Sequence, residues 1–178
     1  VDTALNSLLK ANSPPVAVND SATGSEDPGS PLTGNLITND SDPNLDTLSV
    51  TQFVINGNTY SVTAGSSTTQ SIAGVGSITI GSDGSYSFTP VSNYNGTVPT
   101  VTYTISDGKG GTASANLNIS ITAVNDPPVS TDDILTTDAN LKTVLGLSDF
   151  GTYSDPENSP LAAVKITTLP TGTLEYFN

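Results

Sequence analysis

The chain contains no cysteine, no histidine and no arginine. Without cysteine it has neither disulfides nor thiolate metal sites. Without histidine it lacks the commonest general base, the serine–histidine nucleophile and the usual zinc ligand. Basic charge is scarce as well: four lysines face seventeen acids, a net charge of −13 at pH 7. Nucleic acid and anionic membrane surfaces both require basic patches, so that balance argues against either as a partner. Only 34% of the 178 residues are hydrophobic and 6% aromatic. That is too little for one large core, but a small β-sandwich needs only modest alternating apolar positions. No apolar run is long enough to span a bilayer, and no basic, apolar N-terminal signal is visible. The chain is therefore read as an internal fragment or as one whose export signal lies elsewhere.

What the sequence does contain is an internal repeat. Asn12-Ser13-Pro14-Pro15-Val16 returns as Asn125-Asp126-Pro127-Pro128-Val129, and Ser41-Asp42-Pro43 returns as Ser154-Asp155-Pro156, both pairs 113 positions apart. Two motifs in one register define a module whose length suits an immunoglobulin-like sandwich of about 100 residues. The predicted organisation is a complete module over 13–124 and the first half of a second over 125–178. Residues 1–12 are either the end of a preceding module or a short helix capped by Asp2 or Thr3. The second module is expected to be cut near its middle. Its open strand edges would pair with another copy or be completed by chain absent from this sequence.

The interior of the first module reads as short strands with period-two alternation, separated by turn residues. Leu48, Val50 and Gln52 alternate and run on into Phe53-Val54-Ile55. Asn56-Gly57 supplies a hairpin turn, because both residues tolerate positive φ. Ile78 and Ile80, Tyr86 and Phe88, and Val101, Tyr103 and Ile105 form further strands around Ser82-Asp83-Gly84. After the turn Asp107-Gly108-Lys109-Gly110-Gly111 comes the cleanest run, Ala113, Ala115, Leu117, Ile119 and Ile121. The predicted fold is all-β, a Greek-key β-sandwich of immunoglobulin-like type. Its predicted core is Leu48, Val50, Tyr86, Phe88, Val101, Tyr103, Ile105, Leu117, Ile119 and Ile121.

The acids gather in loops and at module borders. The groups are Asn19-Asp20, Glu26-Asp27, Asp40-Ser41-Asp42 with Asp46, Asp107, Asn125-Asp126, Asp132-Asp133, and Asp155 with Glu157. Any one of them is as well explained by turn capping. Their recurrence in one register in both repeats points further, to a hard cation that takes six to eight oxygen ligands. No EF-hand loop is present.

These residues resemble a family. Pro14-Pro15-Val16-Ala17-Val18-Asn19-Asp20, Glu26-Asp27, Gly34 to Asp42, Asp83-Gly84-Ser85-Tyr86-Ser87-Phe88-Thr89-Pro90, Tyr94-Asn95-Gly96, Tyr103 to Gly111 and Val124-Asn125-Asp126-Pro127-Pro128 are similar, in order and spacing, to the cadherin-like and bacterial immunoglobulin-like repeats of giant type I-secreted (RTX-type) adhesins. The stretch from Leu147 to Glu157 looks like the start of a related module. In some such adhesins an inserted ligand-binding domain interrupts this type of module, which fits the chain's ending at Asn178. The resemblance implies calcium at module junctions, secretion to the bacterial cell surface, and a part in adhesion or biofilm formation. The candidate calcium ligands are Asp20, Glu26, Asp40, Asp42, Asp107, Asn125, Asp126 and Asp155. In the second module Tyr153 stands at the position of Asp40 and Ala139 at that of Glu26.

The function expected from these features is a calcium-rigidified extender that is not an enzyme. Its partners are neighbouring modules of the same chain, with a host or surface glycan or protein engaged through a distal domain. The alternative is a module that itself binds a glycan or protein through calcium-bearing acidic loops, using exposed Tyr94, Tyr153 or Tyr176. No carboxylate pair sits in a catalytic motif. Isopeptide cross-links from Lys10, Lys109, Lys142 or Lys165 to Asn or Asp are a further expectation to weigh against simple solvation of those lysines.

Overall fold

The computed structural model of the chain describes residues 11–132 and 146–164. The expectation of a short helix at the N-terminus, the departure at Ala139, and Tyr176 lie outside the described residues. The chain divides into two compact units, Val1–Val124 and Asn125–Asn178.

The first unit is a two-layer β-sandwich. One sheet has six strands. Its order is β1 (Asp20–Ser25), β10 (Thr112–Thr122), β9 (Val101–Ser106), β3 (Ser49–Ile55) and β4 (Asn58–Ser61), and β8 (Gly96–Thr97) also pairs with β10. The other has four, in the order β2 (Leu32–Asn35), β7 (Ser85–Pro90), β6 (Gly76–Gly81) and β5 (Ser67–Ile72). The chain changes sheet between β1 and β2, β2 and β3, β4 and β5, and β7 and β8, which gives the Greek-key connectivity. The pairing of β1 with β10 is parallel and every other pairing antiparallel.

One core joins the two sheets. Val50, Phe53, Val101, Tyr103, Ile105, Leu117, Ile119 and Ile121 meet Ile72, Ile78, Ile80, Tyr86 and Phe88 within it. Of the ten predicted core residues only Leu48 is half-buried rather than buried, and it packs against the same cluster. The alternation in β3 fails between Val50 and Gln52 because a β-bulge inserts Thr51 there. The inward side then moves from Val50 to Phe53 and Ile55, so Gln52 is half-buried instead of continuing the apolar face. Phe53 rests on Tyr60 across the hairpin, ring centroids 5.3 Å apart. The hairpin turn at Asn56-Gly57 has φ of 49° and 76°, a type I′ geometry that suits the twist of the strands.

In the second unit the described residues form one short antiparallel pair, β11 (Val129–Ser130) with β12 (Tyr153–Ser154), and a 3₁₀ turn at Leu147–Phe150. Its pairing of Val129 with Ser154 repeats the bridge between Val16 and Ser41 in the first unit, again 113 positions apart.

Candidate functional site: aspartate loops at the incoming linker

One local device occurs three times. Asp42 Oδ1 accepts the backbone N–H groups of Asn44 (2.7 Å) and Asp46 (3.2 Å). Asp107 Oδ1 accepts those of Lys109 (2.7 Å) and Gly111 (2.9 Å). Asp155 Oδ1 accepts those of Glu157 (3.1 Å) and Ser159 (2.9 Å). In each loop the residue three places after the aspartate has a left-handed backbone: Leu45 at φ 64°, Gly110 at 101° and Asn158 at 58°. That conformation curls the chain so that amides two and four positions on converge on one oxygen. The other carboxylate oxygen is left to face elsewhere.

Glycine and asparagine tolerate this conformation, whereas leucine is strained in it. Leu45 is also 92% exposed, so its side chain gives no packing in return. Leu45→Asn, which copies the residue at the same place in the second unit, is expected to raise stability by about 1 kcal/mol. Urea unfolding of the two proteins measures this.

The Asp42 and Asp107 loops lie at the segment by which the chain enters the first unit. Asn12 Nδ2 donates to Asp107 Oδ2 at 2.8 Å, and Ser13 N–H donates to Asn44 Oδ1 at 2.9 Å. The second unit repeats the latter contact in register: Asp126 N–H donates to Glu157 Oε2 at 3.0 Å. The amide of Asn125 donates to the carbonyl of Asp126 at 3.2 Å. Asp42 and Asp107 are buried, 7% and 4% exposed. Among the described residues, Asp42 Oδ2, Asp46 Oδ2 and Glu157 Oε1 are buried with no hydrogen-bond partner. Lys109 makes an ion pair with Asp46 and also feels the fields of Asp107 and Asp42, which hold its ammonium well protonated. The Asp107 carboxyl is held below the usual carboxylate value, first by the Asn12 amide and then by the two loop amides.

Asp40 and Asp42 part company. Ser41 between them pairs with Val16, and Asp42 is held by the amides of the loop that follows it. Asp40 turns to a second cluster, with Asp20 around Tyr103. The Tyr103 hydroxyl is fully buried and donates to Asp20 Oδ2 at 2.7 Å. Val18 O, Leu36 O and Asp40 Oδ2 surround the same hydroxyl at 2.9, 3.1 and 3.5 Å. Asp40 Oδ1 accepts the Val18 N–H at 2.7 Å. Burial pushes both carboxyls above their usual value, and the neighbouring Asp20 charge adds to this at Asp40. Burial and the two acids together push the Tyr103 hydroxyl up as well.

Glu26 forms a third group. It is 2% exposed, and its two oxygens accept the Val124 N–H (2.6 Å) and the Asn95 amide (2.9 Å). In the second unit Tyr153, at the position of Asp40, sends its hydroxyl to Ser159 O at 3.0 Å.

The eight candidate ligands thus fall into separate groups: Asp20 with Asp40, Asp42 with Asp107, Glu26 by itself, and Asn125, Asp126 and Asp155 in the second unit. Asn12, Asn44, Asp46 and Glu157 belong to the loops but were not among the candidates. Their signal was the aspartate followed four residues later by a residue whose amide it binds, with glycine or asparagine between; Leu45 hides it in the first loop. Among the described residues no group of three or more acidic side chains is arranged to hold a metal ion.

Fold and loops together define a class: a β-sandwich module with buried aspartates at the linker through which the chain enters it. The chain belongs to the bacterial cadherin-like domain family, whose model matches residues 12–123, more than half of the chain. No curated protein matches it in sequence. Among solved structures it is similar to a nucleoside hydrolase-related hypothetical protein from Saccharophagus degradans that is associated with carbohydrate metabolism, at 20% identity and a TM-score of 0.37, over 63% of this chain and 26% of that one. It is also similar to the N-terminal Ig1-2 module of the Drosophila receptor protein tyrosine phosphatase DLAR, at 16% identity and a TM-score of 0.31, over 67% of this chain and 56% of that one. The chain therefore spans about a quarter of the first and just over half of the second. Neither likeness bears on what this chain does. Among the described residues no helix is long and apolar enough to cross a membrane.

Proposed function

We propose that the chain is a calcium-stiffened extracellular spacer of a bacterial adhesin, with a mechanical rather than a catalytic role. The observation that carries this reading is Asp42: the residue is 7% exposed, and its Oδ2 is buried with no hydrogen-bond partner. An orphaned buried oxygen costs free energy that a cation recovers. Asp46 Oδ2 lies in the same loop in the same condition. The donor types suit a hard cation, since carboxylate, amide and carbonyl oxygens are what calcium takes. Calcium entry would have to draw the carboxylates together, because no three of them are held in ligand geometry among the described residues. Asp42, Asp46 and Asp107 would supply charge, and the amide oxygens of Asn12 and Asn44 would complete the set with backbone carbonyls and water. In the second unit Asp155 and Glu157 occupy the corresponding loop.

The protein's own part is to fix the linker. Asn12 and Ser13 are already tied to Asp107 and Asn44 by hydrogen bonds. Two part-buried hydrogen bonds hold a chain weakly, because each is worth about 1–2 kcal/mol net. A cation sharing ligands between linker and loop makes the same attachment stiff. Pro14 and Pro15 lock φ immediately beyond it.

Small-angle scattering of the chain in millimolar calcium and in chelator tests the proposal. Calcium is expected to reduce the flexibility of the scattering ensemble, and Asp42→Asn with Asp155→Asn to abolish that response. Identical curves in calcium and chelator would reject a calcium-stiffened spacer.

A further inference from the structure

The chain has two Asn-Gly steps, Asn56-Gly57 and Asn95-Gly96. Asparagine before glycine carries its own reaction. The glycine backbone nitrogen, once solvent base has taken its proton, attacks Cγ of the asparagine side chain. A bond forms from that nitrogen to Cγ, the bond from Cγ to the side-chain nitrogen breaks, and ammonia leaves. Water then opens the five-membered imide at either carbonyl and yields aspartate or isoaspartate. One water enters and one ammonia departs, so no other reactant is needed. Glycine favours the attack because no Cβ shields its nitrogen and its backbone turns readily.

The structure separates the two steps. The Asn95 side-chain amide donates to Glu26 Oε2 at 2.9 Å, and that glutamate is 2% exposed and also accepts the Val124 N–H. Gly96 is paired with Ile121 in the ladder of β8 and β10. Electrophile and nucleophile are thus both held. Asn56 is exposed, and among the described residues no group bonds its side-chain amide; Asn58 donates only to its backbone carbonyl. Gly57 lies at the hairpin tip between the paired residues Ile55 and Asn58, and a Cβ placed on it would meet nothing within 4 Å. The attack requires the tip peptide to rotate out of its left-handed geometry, and with nothing packed on Gly57 that rotation disturbs the turn alone. The Asp-Gly steps at Asp83 and Asp107 do not compete. Loop amides hold both carboxyls ionised, and a carboxylate is a poor target for a nitrogen nucleophile.

We infer that Asn56 is a site of spontaneous deamidation in the folded module, and that Glu26 protects Asn95 from the same reaction. Isoaspartate at position 56 routes the backbone through an extra methylene. A two-residue type I′ turn then no longer closes the pair Ile55 and Asn58. β4 ends its sheet and is held there by β3, so the loosening falls on an edge strand. Neither step involves the aspartate loops at the incoming linker.

The test is peptide mapping by mass spectrometry of the 178-residue chain aged in mildly alkaline buffer, folded and, in parallel, unfolded in urea. Urea removes the structural difference and leaves only that of local sequence. The ratio of the Asn56 rate to the Asn95 rate is expected to be about ten-fold or more higher in the folded chain, because a hydrogen bond to a charged acceptor must break before Asn95 reacts. An equal ratio in both states, or no reaction at Asn56 in the folded chain, would overturn the assignment. Glu26→Gln should speed the reaction at Asn95, and an unchanged rate would show that Glu26 does not protect it. The aged species, separated by its added negative charge, should exchange the Asn58 amide faster than fresh protein. Unchanged exchange there would overturn the effect on the hairpin.

Discussion

Tyr103→Phe is expected to destabilise the first unit by about 2 kcal/mol near pH 7, the size of a buried hydrogen bond to a charged acceptor. The ring stays, so packing is unchanged and only the hydroxyl is lost. That hydroxyl brings one proton to a place where four oxygens lie within 3.5 Å. Removing it leaves two carboxylates and two carbonyls without their shared donor. The loss should depend on pH. Asp20 and Asp40 have carboxyls raised above 3.8 in the folded protein, mainly by burial. A raised group contributes stability that is fully present below its unfolded value and lost as pH rises through its folded value. Acidification from neutral towards 3.8 therefore stabilises this cluster. Asp83 and Asp107 are shifted the other way, so their contribution is present above 3.8 and lost below it. Stability in chelator is thus expected to peak on the acid side of neutral. In the Phe variant a protonated Asp20 supplies the missing donor, so the penalty should be smaller at acid pH than at neutral pH. Urea unfolding at both pH values checks this, and an equal penalty at each would contradict it.

Glu26→Ala carries the largest expected cost, about 3 kcal/mol measured in chelator. The side chain is 2% exposed and accepts from two donors on exposed residues, the Val124 N–H and the Asn95 amide. Each is a hydrogen bond to a charged acceptor, which contributes about 1.5–3 kcal/mol. The Val124 N–H lies just beyond β10, so the same change frees the end of the longest strand. Glu26→Gln keeps one acceptor and offers an N–H₂ where the second was, and should lose roughly half as much. Chemical denaturation of both variants gives the comparison. A wild-type midpoint for Glu26→Ala would show that these two hydrogen bonds do not hold the strand end.

Much of the fold was written in the alternation of apolar residues. The run from Ala113 to Ile121 became β10, and the predicted hairpin at Asn56-Gly57 formed as such. The strands that were not legible are the polar ones. Ser67–Ile72 has no apolar period and is a strand because it pairs with β6 along its whole length. Asp20–Ser25 is small and polar, and takes its conformation from a parallel pairing with a segment nearly a hundred residues later. Such strands are made by tertiary partners, which local pattern does not register.

The acidic residues were legible as a set but not in their groupings. Asp40-Ser41-Asp42 looked like two carboxylates for one ion, but Asp40 is taken by the Val18 N–H and Asp42 by the amides of its own loop. Glu26 was visible as an early acid, yet its hold on Val124 depends on two segments 98 residues apart. The Asp42 loop was obscured by Leu45, which adopts a conformation its side chain disfavours. Its equivalents were open to view: Gly110 and Asn158 stand at the same step after Asp107 and Asp155.

The most direct measurement of the central claim is a calcium titration followed by backbone amide resonances. The account predicts saturable shifts at Asn44 and Asp46, whose N–H groups bind Asp42 Oδ1, and at Ser13 in the linker. Saturation is expected in the range of about 10⁻⁴–10⁻³ M that is usual for extracellular modules. Heteronuclear relaxation should show Asn12 and Ser13 becoming more ordered in the same titration, and Asp42→Asn should remove both effects. Amide positions that stay unmoved at these residues in several millimolar calcium, with the linker equally ordered throughout, would contradict it.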